Sequence, residues 1–211
     1  MHHVLNRSLL KAAIPLFILA LLFLASAYFA QTYDHYFVSL VSNRGLLGLL
    51  IYIFIAAFTT VLAPLSSVPL MPLASSIWGP FATAVASIIG WMIGALISFF
   101  ISRKYGRAFV ERFFSREKLS ELEKRIPEEN LFWSIVLLRM AVPVDLLSYV
   151  LGLFKNISWK IYFWATLIGI IPFAFVLAYL ARLPWEFQLL GILLIIPILL
   201  ISRASSRQNK L

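Results

Sequence analysis

Between Leu131 and Ala181 the chain is apolar almost throughout, yet its first part holds Arg139 and Asp145 with Pro143 between them. Charges inside apolar segments are rare and need a partner or water. A proline beside them breaks the helical backbone at the same point. Such a segment fits neither a straight spanning rod nor a water-facing loop. It predicts a hairpin over 128–155 that dips into a membrane and turns at Pro143. Its arms would be about 12 and 10 residues, roughly 18 and 15 Å of helix, placing Arg139 and Asp145 near the bilayer middle.

The rest of the chain agrees with a membrane. Apolar residues make up 62% of the sequence, with a mean hydropathy of +0.92. A soluble domain of this size could not cover that much apolar surface. The apolar runs are continuous rather than alternating, so the expected fold class is an all-α membrane protein and not a barrel. With no cysteine, disulfide, thiolate and iron–sulfur chemistry are excluded. The net charge of +9 reads as basic membrane edges facing anionic headgroups rather than as a nucleic-acid surface. Membrane lipids are thus the expected partners, and the sequence leaves monomer and homodimer open.

Taken in order, residues 1–44 read as an N-terminal transmembrane helix, with its apolar run at Ala12–Ala30, and a polar link. His35 in that link reads as a loop histidine, since no second ligand stands at metal spacing. Residues 45–63 form a second apolar run long enough to span. Residues 64–80 carry Pro64, Pro69, Pro72 and Pro80 without a single charge. Four prolines prevent one helix, and the absence of charge argues against a water-facing loop. A first re-entrant hairpin with two arms of about eight residues reconciles the two, with a buried inter-helix loop as the bland alternative. Ser66, Ser67, Ser75 and Ser76 could satisfy freed backbone groups there, and Ser75 and Ser76 could face a substrate.

Residues 81–102 form a full span with a small residue at every fourth position: Ala82, Ala86, Gly90, Gly94, Ser98 and Ser102. That face allows close backbone approach by a neighbouring helix; a hairpin or the later span is the expected partner. Arg103, Lys104 and Arg107 open a basic stretch over 103–127 that reads as interfacial helices, or as a solvated linker. A third span covers 159–181 with Gly169 and Pro172 inside it, and 187–211 reads as a C-terminal transmembrane helix with a basic tail. Ser75-Ser-Ile-Trp-Gly79 matches Ser148-Tyr-Val-Leu-Gly152 in type and position, a weak internal repeat. Broken apolar segments in corresponding halves point to an inverted-repeat transporter core over 45–186. Counted this way, five crossings put the termini on opposite sides, which sets Arg7 and Lys11 against the positive-inside rule.

The pattern resembles the DedA family, also called the VTT or SNARE-associated Golgi protein family, over Gly45–Arg182. The resemblance rests on the proline-rich turn before Gly79-Pro-Phe, on Gly90-x-x-x-Gly94 running into Phe99-x-x-x-Arg103 and Gly106-Arg107, on Arg139-x-x-x-Pro143, on Tyr149-x-x-Gly152 and on Gly169-x-x-Pro172. It implies two oppositely oriented re-entrant hairpins, each followed by a spanning helix. It also implies lipid movement between leaflets and, for bacterial members, a place in the plasma (inner) membrane. This chain lacks the acidic residues that bacterial members carry in the first hairpin. Asp145 stands where they tend to carry a second arginine. These departures resemble the looser, Golgi-type branch.

Three functions are expected from these features. The first is a lipid transporter or scramblase with Arg139, Asp145, Pro143, Tyr149, Ser75 and Ser76 facing substrate, and Gly79, Gly90, Gly94, Gly152, Gly169 and Pro72 serving packing. The second is an ion- or proton-coupled transporter of a small solute through Asp145. The third is a non-transporting assembly protein in which Arg139 and Asp145 merely close a hairpin. No nucleophile–base pair, metal cluster or phosphate-binding loop is present in the sequence pattern, so neither an enzyme nor a cofactor is expected.

Overall fold

In the computed structural model the described residues are 18–33, 45–62, 66–111, 120, 130–141 and 144–189, and the side chains of 141 and 144–146 are excluded. All secondary structure among them is helical: α1 (Ile18–Thr32), α2 (Gly45–Val61), a 3₁₀ turn (Val68–Leu70), α3 (Met71–Trp78), α4 (Pro80–Val110), α5 (Leu131–Ala141), α6 (Val144–Leu153) and α7 (Trp159–Leu180). Residues 185–189 are helical as well. The interfacial segment expected beyond Glu111 and most of the expected C-terminal helix lie outside the described residues.

Two helices, α4 and α7, are long and apolar enough to cross a membrane. The outer faces of the bundle are those of a body dissolved in lipid. Leu46, Phe54, Leu137 and Val176 are each more than 60% exposed, at 72, 67, 65 and 63%. Such a belt on a water-soluble protein would drive aggregation.

The proline-rich segment differs from the expectation. Residues 68–78 form one helical run, the 3₁₀ turn passing into α3, and not two eight-residue arms. The physical reason is position. Pro69, Pro72 and Pro80 each occupy the first turn of a helix, where the missing N–H has no intrahelical acceptor to satisfy. Gly79 supplies the corner between α3 and α4 at φ 82°, a conformation that favours glycine.

α3 runs back along α2. Trp78 Nε1 donates to the Gly45 carbonyl at 3.1 Å, so the end of α3 lies beside the start of α2. The two-armed unit is therefore α2 with α3, its turn near Ser67. At 17 residues, α2 is an arm of this unit and falls short of the long spans. α4 then runs parallel to α2, with Gly90 against Ile53 and Ala56, and Gly94 against Ala57 and Thr60. A β-carbon at Gly94 would lie 2.5 Å from the Ala57 carbonyl oxygen. The small-residue face thus allows close approach as expected; its Gly90–Gly94 part packs on α2, and its Ser102 end packs on α6.

In the second unit α5 ends at Ala141, α6 begins at Val144, and α7 comes next; the expected proline break at Pro143 lies outside the described residues. A β-carbon at Gly169 of α7 would lie 2.6 Å from Arg139 Cβ on α5. The two units also interlock. α6 packs on α4, with Gly152 against the Phe99 carbonyl and Ser102, and α3 packs on α7, where Ser75 Oγ donates to the Ala178 carbonyl at 3.1 Å. α7 lies antiparallel to α4, since Tyr162 stacks on Phe99 near one end while Phe81 meets Phe175 near the other.

Candidate functional site

Residues of both units meet near mid-length of α4. From the first unit, Ser67 Oγ accepts from Trp91 Nε1 at 2.8 Å. The Val61 carbonyl accepts from the Tyr149 hydroxyl of α6 at 2.8 Å. From the second unit comes Arg139, 3% exposed and carried on the last turn of α5. Its Nη2 donates to Ser148 Oγ at 3.0 Å and to the Tyr162 hydroxyl at 2.7 Å. That hydroxyl donates in turn to the Ala95 carbonyl at 2.9 Å. One line of hydrogen bonds therefore joins α5, α6, α7 and α4 through a single guanidinium.

Depth comes from helix geometry. Gly169, which backs Arg139, is ten residues into α7, about 15 Å from its start. Ala95 is the central residue of α4. A guanidinium at this depth is costly without partners, and its oxygen ligands offset that cost. The Tyr162 ring, 5.3 Å from the guanidinium carbon, adds a π face. Thr83 Oγ1, Ser98 Oγ and Thr166 Oγ1 are also buried and make no hydrogen bond among the described residues. Ser98 stands one turn from Ala95 and Thr166 one turn from Tyr162, so hydroxyls extend the polar line within the bundle.

The structure sorts the residues singled out in the sequence. Arg139 is buried among Ser148 and Tyr162, and Tyr149 reaches from α6 to the Val61 carbonyl at the end of α2. Pro143 and the Asp145 side chain lie outside the described residues. Ser75 bonds to α7, far from Arg139. Ser76 and Pro72 instead line a small cavity of about 160 Å³ with Gln31, Ala181 and Arg182. Gly90, Gly94, Gly152 and Gly169 are all close-approach sites, and Gly79 is a corner. Lys104 is exposed beside the Tyr105 ring, and Arg107 pairs with Glu111 at 2.9 Å.

Arg103 does more than mark a membrane edge. Its guanidinium donates to the carbonyls of Gly152 at 3.3 Å and Ile157 at 2.8 Å, and to that of Phe154, clamping the exit of α6. Carbonyls at a helix C-terminus lack intrahelical donors, and a cation there is favourable. Sequence reasoning does not single out Tyr162 or Ser148. Tyr162 sits in the aromatic run Trp159–Trp164, which has the composition of an interface belt, and only the fold turns its hydroxyl inward.

The VTT domain family model matches residues 63–183, from the first turn to just past the end of α7. No curated protein and no solved structure matches the chain.

Proposed function

The chain belongs to the VTT domain family, the membrane-associated domain of the DedA and SNARE-associated Golgi proteins, and on that footing we propose that it moves phosphate-bearing lipids between leaflets. The α2–α3 and α5–α6 units act as re-entrant hairpins dipping from opposite faces, and α4 and α7 cross the bilayer. The observation that carries this reading is the buried Arg139 guanidinium, linked through Tyr162 to the middle of α4. A fixed cation at the midplane lowers the barrier for a headgroup phosphate there, the most costly point of its passage. Ser148 and Tyr162 hold the guanidinium while no headgroup is bound, and they yield as the phosphate takes their place. The buried hydroxyls of Ser98 and Thr166 offer further donors along the way. The work is transport, with no covalent step and no cofactor.

The reading accounts for the charge pattern too. With α2 as a hairpin arm, α1 and α4 are the crossings before Arg103. Arg7, Lys11, Arg103 and Arg107 then share one side, which the positive-inside rule assigns to the cytoplasm.

The test is leaflet exchange of fluorescent phospholipid in proteoliposomes holding the full chain. Exchange above protein-free vesicles, lost in Arg139→Gln while the protein still elutes as a folded species, is the expected result. Equal exchange by wild type and Arg139→Gln overturns the role of Arg139, and no exchange by wild type with any phospholipid overturns the function.

A further inference from the structure

At the end of α4 that carries the basic residues, the structure opens a cavity of about 640 Å³. It is bordered by Arg103, Gly106 and Arg107 of α4 and by Gly152, Phe154 and Lys155 at the exit of α6. Among the described residues, three cations line it and no acid does. Glu111, outside the lining, holds Arg107 by an ion pair at 2.9 Å. Arg103 is fixed from behind by the α6 carbonyls. Its guanidinium also lies over the Phe99 ring at 4.5 Å. Gly106, at φ 72°, turns the last residues of α4 aside, and a β-carbon there would meet nothing within 4 Å.

A second cavity, the one holding Ser76 and Arg182, occupies the corresponding place in the other half. Each lies between the end of a long helix and the short helix of the opposite hairpin. The two are unequal. The second holds about 160 Å³ and is closed by α1, whose Gln31 donates to the Leu183 carbonyl at 2.9 Å and accepts from Trp185 N at 3.2 Å. Among the described residues, the larger cavity is lined by three cations, one of them paired with Glu111, and the smaller by one arginine.

We propose that the mouth of the larger cavity is a docking site for the phosphate of an anionic lipid, taken from the leaflet on the basic side before the headgroup advances toward Arg139. Its cations can supply the charge-assisted hydrogen bonds a phosphate needs. Phe154 and the apolar outer face of the bundle leave room for the acyl chains. This inference rests on the transport reading for the headgroup's later advance, but docking itself is measured without transport.

The experiment is binding of dioctanoyl phosphatidate, dioctanoyl phosphatidylcholine and inorganic phosphate to the full chain in detergent. Expected are preference for phosphatidate over phosphatidylcholine, and binding about tenfold weaker in Arg107→Gln/Lys155→Gln but unchanged in Arg182→Gln. Lys155→Gln alone, on an exposed turn, keeps the proposal falsifiable if the double variant misfolds, and about threefold weakening is expected. Wild-type affinity in these variants overturns the site. Binding of inorganic phosphate with no phosphatidate retained assigns the mouth to free phosphate and overturns lipid docking. Phosphatidate binding that depends on the mouth in a protein that exchanges no lipid upholds the site and sinks only the transport reading.

Discussion

Gly169 on α7 leaves no room for a side chain, because Arg139 lies against it: a β-carbon there would stand 2.6 Å from Arg139 Cβ and 3.1 Å from the Val136 carbonyl oxygen. The position of the buried guanidinium is thus set by a glycine far along the sequence, on another helix. Gly169→Ala must push α5 outward, at a cost of about 1–3 kcal/mol, and move Arg139 away from Tyr162. We expect a lower melting temperature together with loss of lipid exchange, the latter matching Arg139→Gln. A Gly169→Ala protein that melts and exchanges lipid as wild type does would contradict the packing.

Tyr162 both accepts from Arg139 and donates to Ala95. Tyr162→Phe removes both bonds with little change of shape, taking one oxygen partner from the guanidinium at mid-depth. The expected loss is about 1–3 kcal/mol, read by thermal denaturation. Arg139→Lys is expected to fail as a replacement, since a single ammonium on a flexible stem does not reproduce the planar fork that reaches Ser148 and Tyr162 together. Lysine supporting wild-type exchange would show that charge alone suffices.

Gly90 and Gly94 bring α4 against α2. Gly94→Ala sets a β-carbon against the Ala57 carbonyl and is expected to destabilise by about 1–3 kcal/mol. Gly45→Ala is the control, since a β-carbon there meets nothing within 4 Å, and its melting temperature should stay at the wild-type value or rise.

Arg103→Gln removes the clamp on the α6 exit. The contacts are partly exposed, so a modest loss of about 1–2 kcal/mol is expected. Protease sensitivity confined to 153–158 is the readout, and cleavage unchanged from wild type would count against the clamp.

Orientation is testable because the chain has no cysteine. Single substitutions Ser8→Cys and Asn156→Cys should react with a membrane-impermeant maleimide from the same side, and Leu183→Cys from the other. Labelling of Ser8→Cys and Asn156→Cys from opposite sides would make α2 a full crossing.

Much of this architecture is legible in the sequence, because a lipid solvent leaves few options. Apolar runs, charges confined to edges, and a proline inside a charged apolar stretch identify an all-helical membrane-type chain. They also locate the small-residue face of α4. The prolines of 64–80 are the exception. From sequence they suggest breaks within two short arms, since a proline in a first turn and a proline that ends a helix look alike until the hydrogen bonds are known. In the structure the first two-armed unit is α2 with α3, one helix upstream of the expected one.

The sequence by itself determined that a cation had to be buried at Arg139, since it stands inside a long apolar run with Asp145 as the only other charge from Leu131 to Phe154. Which groups receive it was decided only by the tertiary structure. Tyr162, Ser148 and the Ala95 carbonyl come from three other helices, and the glycines that let those helices touch are read as contacts only once their partners are in place. Apolar patterning fixes what a helix must bury, because transfer free energy is roughly additive along the chain. Hydrogen-bond partners across helices depend on crossing geometry, which no local pattern records.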